Sequence, residues 1–219
     1  MRTTFAGGYE SGDVLSERPD PVRVREEALI GGSYRECFLK AVLPFLRPDS
    51  RVLELGPGRG SWTRALLAHV PQGEVHTVDL LDVSEWLDPR EFGGRLTLHQ
   101  VADLDLSEVP DGYFDLFFSF GVLCHHGTEQ IGRILASARR KTIPGGVAVH
   151  QYGEWNKLYA SGRIVAHPDL PTRESDDDSW WPFNTRDAMR ATAAAAGWRV
   201  LWDDLDLFAR DGVCVLKAW

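Results

Sequence analysis

RVLELGPGRGSWTRALL, residues 51–67, runs apolar residues into a burst of glycine and then into a helical pattern. Val52, Leu53 and Leu55 predict a buried strand, and Trp62, Ala65, Leu66 and Leu67 predict one face of a helix. Ser61 is placed to cap that helix. Glycine turns between a strand and a helix receive ligands that contain a nucleotide. The dinucleotide pattern is G-x-G-x-x-G/A, whereas Gly56, Gly58 and Gly60 fall on alternate positions with Glu54 two residues before the first, giving E-x-G-x-G-x-G. Ser61 stands where the third glycine of the dinucleotide pattern belongs, and a serine there leaves a dinucleotide open.

Outward from this turn the chain alternates strands and helices. EVHTVDL, RLTLHQVA and YFDLFFSFGVL read as strands two to four. TEQIGRILASARRKT is an amphipathic helix ended by PGG, and VAVHQY is strand five. Such alternation implies a largely parallel sheet covered on both faces. Residues 1–32 read as an N-terminal arm and helix, and VREEALIGGSYRECFLKAVLPFL as two short helices broken at Gly31 and Gly32. Residues 153–184 are too long for a plain connector and read as a lid-like insertion in the domain spanning 33–219. WRVLWDDLDLFARDGVCVLKAW supplies two strands around the turn signal RDG, a hairpin that closes the sheet.

The 219 residues carry a formal net charge of −8. Phosphate neutralisation needs a basic surface, so nucleic acid is not an expected partner. Cys37, Cys124 and Cys214 are odd in number and far apart, without metal-ligand or disulfide spacing. No signal-like start and no run of about 18 apolar residues occurs, so a cytoplasmic protein without a membrane partner is expected.

Two further acids choose the ligand. Asp79 closes strand two, where a carboxylate accepts both hydroxyls of a ribose, and Asp103 ends strand three, where one takes an adenine amino group. With Glu54, these acids at three successive strand ends resemble the class I S-adenosylmethionine-dependent methyltransferases. The resemblance covers residues 33–219. It implies a Rossmann-like α/β fold, a mostly parallel seven-stranded sheet with helices on both faces and a C-terminal antiparallel hairpin. It also implies S-adenosylmethionine as cofactor and S-adenosylhomocysteine as product. Gly56, Gly58 and Gly60 would let the backbone approach the methionine part and Glu54 would help hold its amino group. Asp79 would bind ribose, and Asp103 and Leu104 would frame adenine. Trp62, Leu80 and Phe120 complete the implied cofactor set. FSFGVLCHH, PGGVAVHQYGEW and WWPFNTRDAMRATAAAAGW resemble, more loosely, bacterial O-methyltransferases of sugars and small metabolites.

For transfer to a hydroxyl, a base that removes the acceptor proton helps, and histidine suits that task. His125 and His126 follow strand four at the rim where open α/β sheets bind ligands, with His125 preferred. His150, Tyr152 and Trp155 are expected to line an acceptor pocket, and Trp180 and Trp181 to pack onto the cofactor or a ring-shaped acceptor. Asp176, Asp177 and Asp178 lack metal-site spacing and read as a solvated acidic face, so no metal is expected. The acceptor is a small molecule, free or presented on a carrier. Rival readings are methylation of nitrogen or carbon, a non-catalytic cofactor-binding partner protein, and an NAD-dependent reductase.

Overall fold

The computed structural model describes residues 13–103, 105–163 and 181–219. Seven strands form one sheet: β1 (Arg51–Leu55), β2 (Glu74–Asp79), β3 (Leu96–Gln100), β4 (Phe114–Ser119), β5 (Thr142–Gly153), β6 (Trp198–Trp202) and β7 (Asp211–Ala218). Their spatial order is β3-β2-β1-β4-β5-β7-β6. Strands β1 to β5 pair in parallel, and β7 pairs antiparallel with both β5 and β6. The order reverses between β1 and β4, where Leu55 lies in register with Ser119. At such a switch point the connections leave in opposite directions and open a crevice beyond the carboxyl ends of the strands.

Burial on both faces explains why β1 and β4 are nearly continuous apolar runs. Val52 and Phe118 face a core with Phe38, Trp62 and Leu66, while Leu53 and Phe117 face a second core with Ile131, Ile134 and Met189. The covering helices are α1 (Pro21–Ile30), α2 (Tyr34–Cys37), α3 (Ser61–His69), α4 (Thr128–Lys141), α5 (Trp155–Ala160) and α6 (Arg186–Ala195). Asp20 caps α1 by accepting from the Val22 and Arg23 amides, and Gly31 ends it at φ 75°. Ser33 caps α2, which continues through a π-turn at Phe38–Val42 and a 3₁₀ turn at Leu43–Phe45. Two helical segments broken at the glycines are therefore present as expected. Among the described residues no helix is long and apolar enough to cross a membrane.

Three local expectations need correction. Ser61 does not cap α3. Gly60, at φ 86°, is the capping residue and Ser61 is the first helical one. PGG does not separate α4 from β5, because β5 starts at Thr142. The pairing with β4 jumps from Phe114↔Thr142 to Leu116↔Val147, and residues 143–146 bulge between them. RDG does not turn the hairpin. Asp211 begins β7 fully buried, bonded to Gln151 and Arg210, and residues 203–210 make the connection. At the start of the 153–184 insertion α5 packs against β7, and residues 164–180 of it lie outside those described.

Candidate active site

The crevice at the switch point consists of two adjoining cavities, of about 200 and about 210 Å³, which share Gly56, Gly121 and His125. The glycine turn forms their common wall. Gly56, Gly58 and Gly60 all have positive φ (68°, 55° and 86°), the left-handed region in which side chains are strained. A Cβ on Gly60 would come within 2.3 Å of the buried Leu87, so its lack of a side chain serves packing. A Cβ on Gly58 would meet nothing within 4 Å. That glycine leaves open space on the cavity side.

The second cavity is an apolar slot of Leu55, Val78, Leu80 and Val122 with one carboxylate, Asp79. Asp79 Oδ1 accepts from the Leu81 amide at 2.9 Å. Partial burial raises its pKa, opposed by the Leu81 and Leu80 amides. A planar base against aliphatic walls with ribose hydroxyls at a carboxylate fits this slot.

The first cavity has an aromatic wall. Trp62 stacks on Phe120 with ring centroids 4.4 Å apart, and Tyr34 meets Phe120 edge-on at 5.0 Å. Its polar lining includes Glu26, Arg59, Ser61, Gln151 and Arg210, and Trp181 closes one side. Gln151 accepts from the Gly121 amide at 2.8 Å and donates to Asp211, which ties the β4 end to the β7 start. Cys124 also lines this cavity, but burial pushes its thiol up to about 12, which removes it as a nucleophile near neutrality.

His125 ends a 3₁₀ turn, Leu123–His125, whose His125 amide donates to Val122 O at 3.0 Å. It is exposed and lines both cavities. His126 lines only the second cavity, and burial lowers its pKa despite a bond with Gln130.

Of the residues singled out from the sequence, Gly56, Gly58, Trp62, Asp79, Leu80, Phe120, His125, His126 and Trp181 meet along this crevice. Others do not. Glu54 is buried behind the glycine turn with its carboxyl on the Thr63 hydroxyl, and does not line either cavity. Asp103 lies three residues beyond the end of β3, exposed, where Oδ1 accepts from the Asp105 amide. His150 is fully buried with Nδ1 2.8 Å from Ser119 Oγ, and burial lowers its pKa to about 3, so it is a neutral core residue. Tyr152 is buried too, donating to Asp203 O at 2.8 Å. The two-residue period of β5 puts Gln151 at the cavity and its neighbours on the opposite face. Trp155 donates to Pro182 O at 2.8 Å and packs edge-on against Phe183, holding the return of the insertion rather than a ligand. Leu104, Trp180 and Asp176–Asp178 lie outside the described residues. Among the described residues no group of three or more His, Cys, Asp or Glu is placed to hold a metal ion.

Sequence reasoning missed Tyr34, Gln151 and Arg210. Tyr34 and Arg210 come from segments far from the glycine turn, and only the docking of α1 onto the β6–β7 connection, through Ala209 N to Gly31 O and Arg210 N to Ile30 O, brings them in.

A seven-stranded sheet of this order, with a glycine turn after β1 and a carboxylate at the end of β2, defines the class I methyltransferase fold. The chain belongs to a methyltransferase-domain family whose model matches residues 32–201. It is 31% identical over 145 residues to a malonyl-[acyl-carrier protein] O-methyltransferase of Halorhodospira halophila, a match covering 63% of this chain and 44% of that protein. The match thus spans less than half the length of that relative. A S-adenosylmethionine-dependent methyltransferase from Aquifex aeolicus superposes with a TM-score of 0.62 over 92% of this chain and 100% of that one, at 15% identity. The 1,6-didemethyltoxoflavin-N1-methyltransferase of Burkholderia thailandensis, solved with S-adenosylhomocysteine, gives 0.55 at 18% identity, covering 78% and 71%. At these identities the structures share the fold.

Proposed function

We propose that this protein transfers the methyl group of S-adenosylmethionine to a hydroxyl of a small molecule, with His125 as the base. The observation that carries this reading is the position of His125, which alone among the described histidines lines both halves of the crevice. When bound, the cofactor supplies an electrophilic sulfonium methyl and leaves as S-adenosylhomocysteine. Asp79 holds the ribose and the Leu80 side its base, while the glycine turn accommodates the methionine end. A cofactor held in this way would bring its methyl group towards the junction of the two cavities, which His125 lines. His125 takes the acceptor's hydroxyl proton as oxygen bonds to the methyl carbon and the carbon–sulfur bond breaks. The stacked Trp62 and Phe120 exclude water from the line of attack and hold the acceptor in it. An acceptor presented on a carrier fits the same crevice, and the malonyl-carrier relative supports that class.

Calorimetric titration with S-adenosylhomocysteine, alongside NADH, tests the cofactor. Micromolar binding of the former alone is expected, and preference for NADH would overturn the reading. Screening hydroxyl, amine and carbon acceptors by methyl transfer then tests the acceptor atom. Turnover confined to amines or carbon acids would replace the hydroxyl assignment.

A further inference from the structure

Arg210 is held in an unusual way for a residue lining the first cavity. Its Nε donates to Asp211 Oδ1 at 2.9 Å and its Nη2 to Asp211 Oδ2 at 2.6 Å, so one edge of the guanidinium is closed by a fully buried carboxylate. Asp211 is fixed in turn by Gln151, and the Arg210 amide is fixed by Ile30 O. The Arg210 side chain is 20% exposed, and its guanidinium carbon lies 5.6 Å from the centroid of the Trp181 ring. A guanidinium has two edges that match a carboxylate. Asp211 takes the Nε/Nη2 edge. The end formed by Nη1 and the second Nη2 proton has no partner among the described residues.

We propose that Arg210 is the acceptor's anchor: the enzyme takes a planar, ring-bearing acceptor whose carboxylate or equivalent anionic oxygen pair docks end-on at the open Nη1/Nη2 edge. This rests on the methyltransferase reading, with the methionine end of the cofactor at the Gly58 side of the first cavity and the acceptor at its Trp181 and Arg210 side. Preorganisation is the physical reason for the pairing. Asp211 and Gln151 immobilise a long side chain before the ligand arrives, so little conformational freedom is lost on binding. The aromatic lining explains the ring: Tyr34, Phe120 and Trp181 surround the same space with faces and edges. Glu26 and Arg59 also line this cavity, so away from the Arg210 edge its charges offset, which favours an acceptor with a single anionic group placed at Arg210.

The test uses the full chain saturated with S-adenosylhomocysteine and two probes of equal size, benzoate and benzamide, titrated calorimetrically. Wild type is expected to bind benzoate about tenfold or more tightly than benzamide. Arg210→Gln is expected to reduce that preference to about twofold or less while S-adenosylhomocysteine affinity stays the same. Equal binding of the two probes by wild type, or an undiminished preference in Arg210→Gln, would overturn the anchor. Arg210→Gln leaves Asp211 buried without its cation. If that variant does not fold, the double variant Arg210→Gln with Asp211→Asn removes the pair together, and the same loss of preference is expected of it. Failure of wild type to bind S-adenosylhomocysteine at all would instead sink the methyltransferase reading, and is scored before either probe is added.

Discussion

The Thr63 hydroxyl donates to Glu54 Oε2 at 2.6 Å, with both side chains shut away from solvent behind the glycine turn. Burial raises the Glu54 carboxyl to about 8, against the Thr63 bond and with a smaller push from the Asp79 charge. In the folded chain Glu54 therefore keeps its proton above the unfolded value of 4.5. The folded state binds the extra proton between these values, so this contribution is greatest on the acid side and is lost as pH rises towards about 8. Glu54→Gln keeps an acceptor for Thr63 and cannot ionise. Thermal melts from about pH 5 to about pH 8.5 are expected to show a steeper decline for wild type than for the variant. Parallel declines would remove Glu54 as the source.

Gly58 and Gly60 are expected to respond differently to alanine. Both residues are left-handed, which costs a side chain about 1 kcal/mol. At Gly60 the new methyl also collides with Leu87, adding about 1–3 kcal/mol of overpacking. At Gly58 it enters open space in the crevice wall. Gly58→Ala should melt close to wild type yet bind S-adenosylhomocysteine about tenfold or more weakly, whereas Gly60→Ala should lose stability first. Calorimetric titration beside thermal melts separates the two, and full affinity in Gly58→Ala would place the cofactor elsewhere.

Asp79→Ala is expected to cost about 100-fold or more in S-adenosylhomocysteine affinity, since two hydrogen bonds to a charged group disappear. The fold should survive, because Asp79 is the last, only partly buried residue of β2 and the buried Val75 and Val78 of that strand are untouched. Undiminished binding with a native far-UV spectrum would contradict the ribose assignment.

His125→Ala should lower turnover by about 100-fold with little change in cofactor affinity. His126→Ala is expected to do much less to turnover. Its ring is partly buried beside the adenosine slot, so its loss should appear as weaker S-adenosylhomocysteine binding. If the His125 variant keeps full turnover, orientation alone carries the transfer.

Much of this was legible in the chain itself. The strand-turn-helix at residues 51–67, the alternation that follows it and the closing hairpin are local patterns, and each one has a physical period or a glycine that sets it. The same holds for Asp79, which is tied to a strand end only six residues long. Asp103 does not end a strand, because β3 stops at Gln100 and the acid follows three residues later in a loop whose course the apolar period does not set. His150 was misassigned because two-residue alternation cannot by itself say which face of a doubly covered strand meets a cavity.

The sequence alone determined the sheet, its glycine turn and the carboxylate at the end of β2, because those depend on hydrophobic period and backbone freedom within short windows. Tertiary structure decided which polar groups share the cavity. Tyr34, Gln151 and Arg210 are separated by more than a hundred residues of chain at one step and nearly sixty at the next. They converge only because α1 docks on the β6–β7 connection and β7 inserts antiparallel beside β5. Burial also split Glu54 from Asp79, two acids alike in sequence. One lies behind the turn holding a proton, and the other faces the crevice with its charge available to a ligand.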